Sequence, residues 1–187
     1  MNFLKKRSTA IVIVVILGLF FTLFGVRRSL DSAARKTEKL FYDGVGSETS
    51  VQTYLDNEFK EAKVIYSTAS KYLDDDEISG FRAAYNGLYN AETISEKYGF
   101  YSSLKDELNA VTEAMKGAEM EDAVKDYYNT HVRNMKNIQQ MIDSSTYNVK
   151  VAEFEKTVLK VFPANILKKI VHPYIPQYFG GEEFREG

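Results

Sequence analysis

From Thr9 to Val26 the chain runs eighteen residues without a charge, between Lys5-Lys6-Arg7 and Arg27-Arg28. As a helix rising ~1.5 Å per residue, this segment reaches about 27 Å, close to the ~30 Å hydrocarbon core of a bilayer. No other feature restricts the fold so strongly. In lipid each backbone N–H and C=O must be satisfied within the structure, and a lone segment achieves that only as a helix. The β-branched run from Ile11 to Ile16 is therefore no obstacle. A cleaved signal peptide shares the pattern of a basic start and an apolar stretch. It would need small residues soon after that stretch. Gly25-Val26-Arg27-Arg28 is a poor site, and Ser32-Ala33-Ala34 lies past two arginines. The expectation is a retained single-pass anchor over residues 1–28, with residues 9–26 in the bilayer. Lys5, Lys6 and Arg7 on one flank face Arg27, Arg28, Arg35, Lys36 and Lys39 on the other, so the two orientations are nearly balanced.

All 26 acidic residues lie beyond Arg28, which makes the rest of the chain acidic on a basic anchor. With a net charge of −2, nucleic acid is not an expected partner. An acidic domain is also poorly suited to lie against anionic lipid. The absence of Cys excludes disulfides, Cys-ligated metals and thiol nucleophiles. Two histidines, His131 and His172, offer little for a His-based metal or acid–base site. GxGxxG, P-loop and GxSxG sequences are absent, so nucleotide and serine-hydrolase chemistry have no foothold.

Past the anchor the apolar residues recur at helical steps. Val51, Leu55, Phe59, Ala62, Ile65, Ala69 and Leu73 form one stripe, with Thr49 and Gln52 at capping-box spacing. After Asp74-Asp75-Asp76-Glu77, the period resumes at Ile78, Phe81, Tyr85, Leu88, Ala91 and Ile94, with Gly99 placed as a helix-ending residue. Leu104, Leu108, Val111 and Met115 make a shorter stripe closed by Gly117. Met120, Val124, Tyr127, His131, Met135, Ile138 and Ile142 make the next. Tyr147, Val151, Phe154, Val158 and Val161 begin the last, which Pro163 should stop. The expected fold is all-α, with a single transmembrane helix followed by an up-and-down antiparallel four-helix bundle over residues 48–163. Residues 29–47 read as a helical stalk, Ser29 to Tyr42, ending in a glycine hinge at Asp43-Gly44-Val45-Gly46-Ser47. Residues 164–187 read as a tail.

The acidic run Asp74 to Glu77 is contiguous, unlike the alternating ligands of a calcium loop, and reads as a helix N-terminus. His131 reads as a core or boundary histidine within reach of Tyr128 or Glu121, and His172 as a solvated tail residue. No metal or cofactor is expected. In the tail, Ile166, Leu167, Ile170 and Val171 surround Lys168-Lys169, and an aromatic stretch from Pro173 to Phe179 follows. Two readings stand open. Tyr174, Tyr178 and Phe179 either form an interaction tail at a membrane interface or on a partner, or fold back over the end of the bundle.

Tyr147-Asn148, Val151, Phe154, Val158 and then Phe162-Pro163-Ala164-Asn165-Ile166 resemble the C-terminal signature of the LemA family, a Tyr-Asn pair on the last helix followed by Phe-Pro, Asn and aliphatic residues. Gln177-Tyr178-Phe179 with Glu182-Glu183 is similar to the aromatic–acidic tail of many members. Phe154-Glu155 stands where a second Tyr-Asn pair is usual, and the Asp-Leu-Ile-Pro-Asn-Leu step of the first bundle helix is absent, so the resemblance is to a divergent member. It implies a bacterial membrane-anchored helical bundle without catalytic residues, in which Tyr147, Asn148, Phe162, Pro163 and Asn165 are structural. The leading functional expectation is a non-enzymatic interaction module or scaffold, with a membrane or envelope protein as partner and self-association open. The alternative is a ligand-sensing bundle coupled to the membrane helix.

Overall fold

The computed structural model describes residues 7–180, so Lys5, Lys6 and the Glu182-Glu183 pair lie outside the described residues. The chain is all-α, with no strand among the described residues. In order come α1 (Arg7–Asp43), α2 (Val51–Ala69), α3 (Asp75–Asn90), α4 (Ile94–Met115), α5 (Asp122–Asp143), α6 (Tyr147–Phe154), a π-helical turn (Glu155–Leu159) and α7 (Ala164–Val171). The apolar run and the stalk are one uninterrupted helix of 37 residues. Among the described residues α1 alone is long and apolar enough to cross a membrane, and its most apolar stretch is buried nowhere against the rest of the chain. The chain divides into two compact units, residues 7–38 with 150–176 and residues 39–149 with 177–180.

In the unit of residues 39–149 and 177–180, α2 lies against α5 and α3, and α3 lies against α4. Each start is set by side chains that take up free backbone N–H groups. The Ser50 hydroxyl accepts from the Thr53 amide, so α2 begins one residue later than the Thr49–Gln52 spacing suggests. At α3 the Glu77 carboxylate accepts from the Asp74 amide, and the acidic run is a helix start as expected. The Thr93 hydroxyl and the Glu96 carboxylate form a capping box that opens α4 at Ile94. Gly99 is therefore inside α4, not at a helix end. The break at Ala91–Thr93 is hidden in the sequence because Ala91 and Ile94 keep the apolar period across it. The α3–α4 approach is close: a Cβ on Gly87 would stand 2.2 Å from the Phe100 ring, and one on Gly80 2.5 Å from the Glu107 carboxylate.

The core seams also differ in detail from the stripes. On α5, Tyr127 is 53% exposed and Tyr128 2%. The buried line is Tyr128, Val132, Met135, Gln139 and Ile142. On α2 the buried line passes through Glu58, while Phe59 is half-buried. In both helices a polar residue holds a core position that an apolar template skips.

In the unit of residues 7–38 and 150–176, Leu30 and Ala34 of α1 share a core with Phe154, Leu159 and Val171. Leu23, Val26, Val158 and Ala164 pack against it. Pro163 does not stop a long helix here. The helix ends at Leu159 through a π-helical turn, and Pro163, joined to Phe162 by a cis bond, is the N-cap of α7. That position suits it, because the first residues of a helix need no N–H partner.

The predicted glycine hinge is a tight turn. Gly44 has φ +88° and donates to the Leu40 carbonyl at 2.9 Å, and a Cβ there would fall 2.2 Å from the Glu48 carbonyl oxygen. Gly46 has φ +63° and open space around it. Gly44→Ala should therefore cost more than ~2 kcal/mol in thermal unfolding, and Gly46→Ala only about 1 kcal/mol, the ordinary left-handed penalty. Equal losses at the two sites would show that the Gly44 turn is not closed as described.

Candidate functional site

Tyr147 and Asn148 open α6, and both reach the last described stretch of the chain. Tyr147 is buried, and its hydroxyl donates to the Gln177 carbonyl at 2.5 Å. Asn148 uses both ends of its amide on one residue. Its Nδ2 donates to the Phe179 carbonyl at 2.6 Å, and its Oδ1 accepts from the Phe179 amide at 2.9 Å. The ring of Phe179 then sits among Phe41, Tyr98 and Tyr101, with centroids 5.6, 5.3 and 5.4 Å away. Tyr178 is buried as well. These two aromatics are spent inside the unit, so here the fold-back reading of the tail describes the geometry.

Tyr174 belongs to the other unit. Its amide donates to Asp31 at 2.6 Å, its hydroxyl binds Glu38, and the Arg35 guanidinium lies 4.9 Å over its ring. The remaining resemblance positions are in that unit too. Phe162 is exposed, Pro163 caps α7, and Asn165 is half-buried. The structure thus joins Tyr147, Asn148, Tyr178 and Phe179 in one unit and leaves Phe162, Pro163, Asn165 and Tyr174 in the other.

A second polar cluster was not among the sequence candidates. Glu58 of α2 is fully buried, and the Gln139 amide of α5 donates to its Oε1 at 2.8 Å. The Gln139 backbone carbonyl lies 3.3 Å from the Tyr101 hydroxyl of α4, which donates to Asp143 at 2.6 Å. Lys105 completes the chain of contacts at 2.6 Å from the other Asp143 oxygen. Burial pushes the Glu58 carboxyl up to about 8; the Gln139 hydrogen bond opposes this, the Asp143 charge adds to it, and Lys105 opposes it. Burial, and then the bond to Asp143 and its charge, also push the Tyr101 hydroxyl far above its ordinary value, so it stays a neutral donor. The signal for Glu58 was its place at the 3-4-3 spacing of Leu55, Glu58, Ala62 and Ile65.

Glu58 is not among the residues that line two open clefts on its unit. One, of about 330 Å³, lies beside Gln52, Phe59, Lys60, Tyr89 and Lys97. The other, of about 320 Å³, lies beside Asn57, Glu61 and Asn134. His131 pairs with Glu61 at 2.6 Å, not with Tyr128 or Glu121, and packs edge-on to Tyr127. His172 is the left-handed C-cap of α7 and is exposed. Among the described residues no three His, Cys, Asp or Glu side chains gather as metal ligands.

A carboxyl raised in the folded state contributes stability fully below its unfolded range near 4.5, and that contribution is lost as pH rises through about 8. Within this window the loss is about 1.4 kcal/mol per pH unit. The stability difference between the parent chain and Glu58→Gln should follow that slope and favour the variant at alkaline pH. A difference independent of pH from 5 to 8 would contradict it. At the tail, Asn148→Ala leaves the Phe179 amide without its acceptor, and hydrogen exchange there should accelerate roughly ten- to hundredfold. Asn148→Asp keeps that acceptor and should lose less. Unchanged protection in Asn148→Ala would mean the amide does not hold the tail.

Compared with known proteins, the chain matches no family model, no curated protein and no solved structure.

Proposed function

We propose that this chain is a single-pass membrane protein of LemA type, whose helical body acts by binding another membrane or envelope protein and not by catalysis. The observation that carries the reading is where the polar groups go. Glu58, Gln139, Tyr101 and Asp143 satisfy one another in the core, and Tyr147 and Asn148 are used on the backbone of the tail. Meanwhile most of the apolar side chains of α1 from Ile11 to Phe21 are exposed. Lipid is the covering that its length suits. We read α2 to α5 as an up-and-down antiparallel four-helix bundle. The contacts of α2 with α5 and α3, and of α3 with α4, support this, as do connections of three to six residues, which favour antiparallel neighbours.

The Tyr-Asn and Phe-Pro positions of the resemblance then have structural work: a tail clamp and a helix start. For partner binding, the outer side of α5 carries exposed Tyr127 and Met141, four turns apart. One feature favours the sensory alternative, the open cleft in which Phe59 and Tyr89 stack at 4.8 Å beside Lys60 and Lys97.

Two measurements test the proposal. The full chain should stay with membranes through an alkaline carbonate wash; release into the supernatant would remove the anchor from the reading. A photocrosslinking residue in place of Met141 should yield a discrete adduct with a membrane protein in intact cells. Absence of any adduct, with ligand-induced stabilisation of the chain that Lys97→Ala abolishes, would move the assignment to the sensor.

A further inference from the structure

In the unit of residues 7–38 and 150–176, the core does not begin above the apolar run of α1 but overlaps its end. Leu23 and Val26, in the last turn before Arg27-Arg28, pack against the cluster that includes Leu30, Ala34, Leu159 and Val171. Leu23 lies about 6 Å along the helix from Arg27, at ~1.5 Å per residue. Segment 150–176 therefore reaches the depth at which the arginines mark the membrane edge.

On that segment α7 is apolar on two sides. Val171 is buried and Ala164 and Leu167 are half-buried, which defines the side facing the core. Ile166 and Ile170, one turn apart, lie opposite and are 54% and 58% exposed. Just before the helix, Val161 is also exposed and Phe162 reaches 75%, a larger value than for any other exposed large apolar side chain among the described residues. Exposed Lys160 and Lys169 border the patch. Outside the apolar run of α1, the other exposed large apolar residues among the described residues are mostly single and need no cause, but four within ten residues beside a lipid-length helix mark a contact surface. A short helix with an apolar outer stripe and lysines at its margin suits the boundary between headgroups and acyl chains.

We propose that α7 and the Val161–Pro163 turn before it dock on the bilayer that α1 crosses, with Phe162, Ile166 and Ile170 inserted at the headgroup–acyl boundary. This rests on the reading of α1 as a membrane helix. The lipid is chosen over a protein occupant by continuity, since the patch lies on the segment that packs against the last turns of the membrane-length run. The acidic character of the chain as a whole does not oppose it, because the patch itself is flanked by lysines.

The chain has no Trp, so one introduced indole reports its own surroundings. Phe162→Trp and, separately, Ile166→Trp would be made in the full chain; both positions are exposed, so the larger ring displaces nothing. Each would be reconstituted into phosphatidylcholine vesicles, with and without acyl chains brominated near the glycerol end, beside Phe20→Trp as the marker of α1, read in lipid brominated near the methyl end because residue 20 lies close to the middle of the run. The proposal expects blue-shifted emission and a severalfold intensity loss in brominated lipid for Phe162→Trp and Ile166→Trp, alongside quenching of Phe20→Trp. If both tail indoles emit as in water while Phe20→Trp is quenched, the docking is wrong and the anchor stands. Blue-shifted but unquenched tail indoles would assign the patch to a protein surface and overturn the proposal in the same way. If Phe20→Trp is itself unquenched, the anchor reading fails and the docking with it.

Discussion

The two hydrogen bonds between the Asn148 side chain and the Phe179 backbone decide where the end of the described chain goes, and much of its unit follows from them. A primary amide carries a donor and an acceptor at fixed separation, so it can satisfy the N–H and C=O of one residue as a neighbouring strand would. With the backbone fixed, the Phe179 ring is delivered between Phe41, Tyr98 and Tyr101. Tyr101 in turn faces Asp143, and Gln139 beside it holds Glu58. One clamp thus links the end of α1, α4, α5 and α6 through a continuous series of ring and hydrogen-bond contacts. Neighbouring Tyr147 adds a third bond to the same stretch at Gln177. The tail is a structural member of this unit.

Glu58 is the costly part of that series. A carboxylate without a nearby cation in the core loses its hydration, and the core meets this by keeping the proton on, as the upward displacement to about 8 expresses. Lys105 is close enough to oppose the effect but is committed to Asp143 at 2.6 Å. Gln139 can serve the carboxyl in either state, because its amide donates to Oε1 regardless of where the proton lies. The arrangement selects one register of α2 against α5: sliding either helix by a turn would leave a carboxyl and an amide buried without each other. Polar core pairs that specify alignment at some cost in stability are a known device in helical assemblies.

The lipid-length segment, the all-helical content and the acidic start of α3 were legible because each rests on a local pattern: charge-free length, period, and carboxylates at an N-terminus. The missing pieces share one physical origin. Thr93 and Glu96 start α4 through side-chain bonds that leave the apolar spacing of Ala91 and Ile94 undisturbed, so the break could not be heard in the hydrophobicity. Glu58 and Gln139 occupy seam positions as a polar pair 81 residues apart, and only their partnership makes either acceptable in the core. Tyr127 and Tyr128 are chemically equal, and which one turns inward is set by the seam on which Gln139 lies. The partner of Asn148 is non-local, 31 residues away at Phe179, and no local pattern announces it. Pro163 was expected to stop the last long helix, but a proline ends one helix or begins another with equal ease, and here it begins one.

That beginning matters for α7. Eight residues make barely two turns, too few to persist on helix propensity alone, so its order must come from what it touches. On the inner side the contact is α1, through Val171, Ala164 and the π-helical turn. On the outer side Ile166 and Ile170 gain nothing in water, and burying them would contribute roughly 25 cal/mol for each Å² of apolar surface removed from it. A segment meant only to pack on α1 would carry polar residues there, as the outer positions of α5 largely do with Lys125, Arg133 and Lys136. The sequence instead places apolar residues on both sides of a two-turn helix, Leu167 and Val171 within and Ile166 and Ile170 without. Those residues make energetic sense together under the proposed docking, in which α7 lies between two apolar neighbours, the end of α1 and the edge of a bilayer.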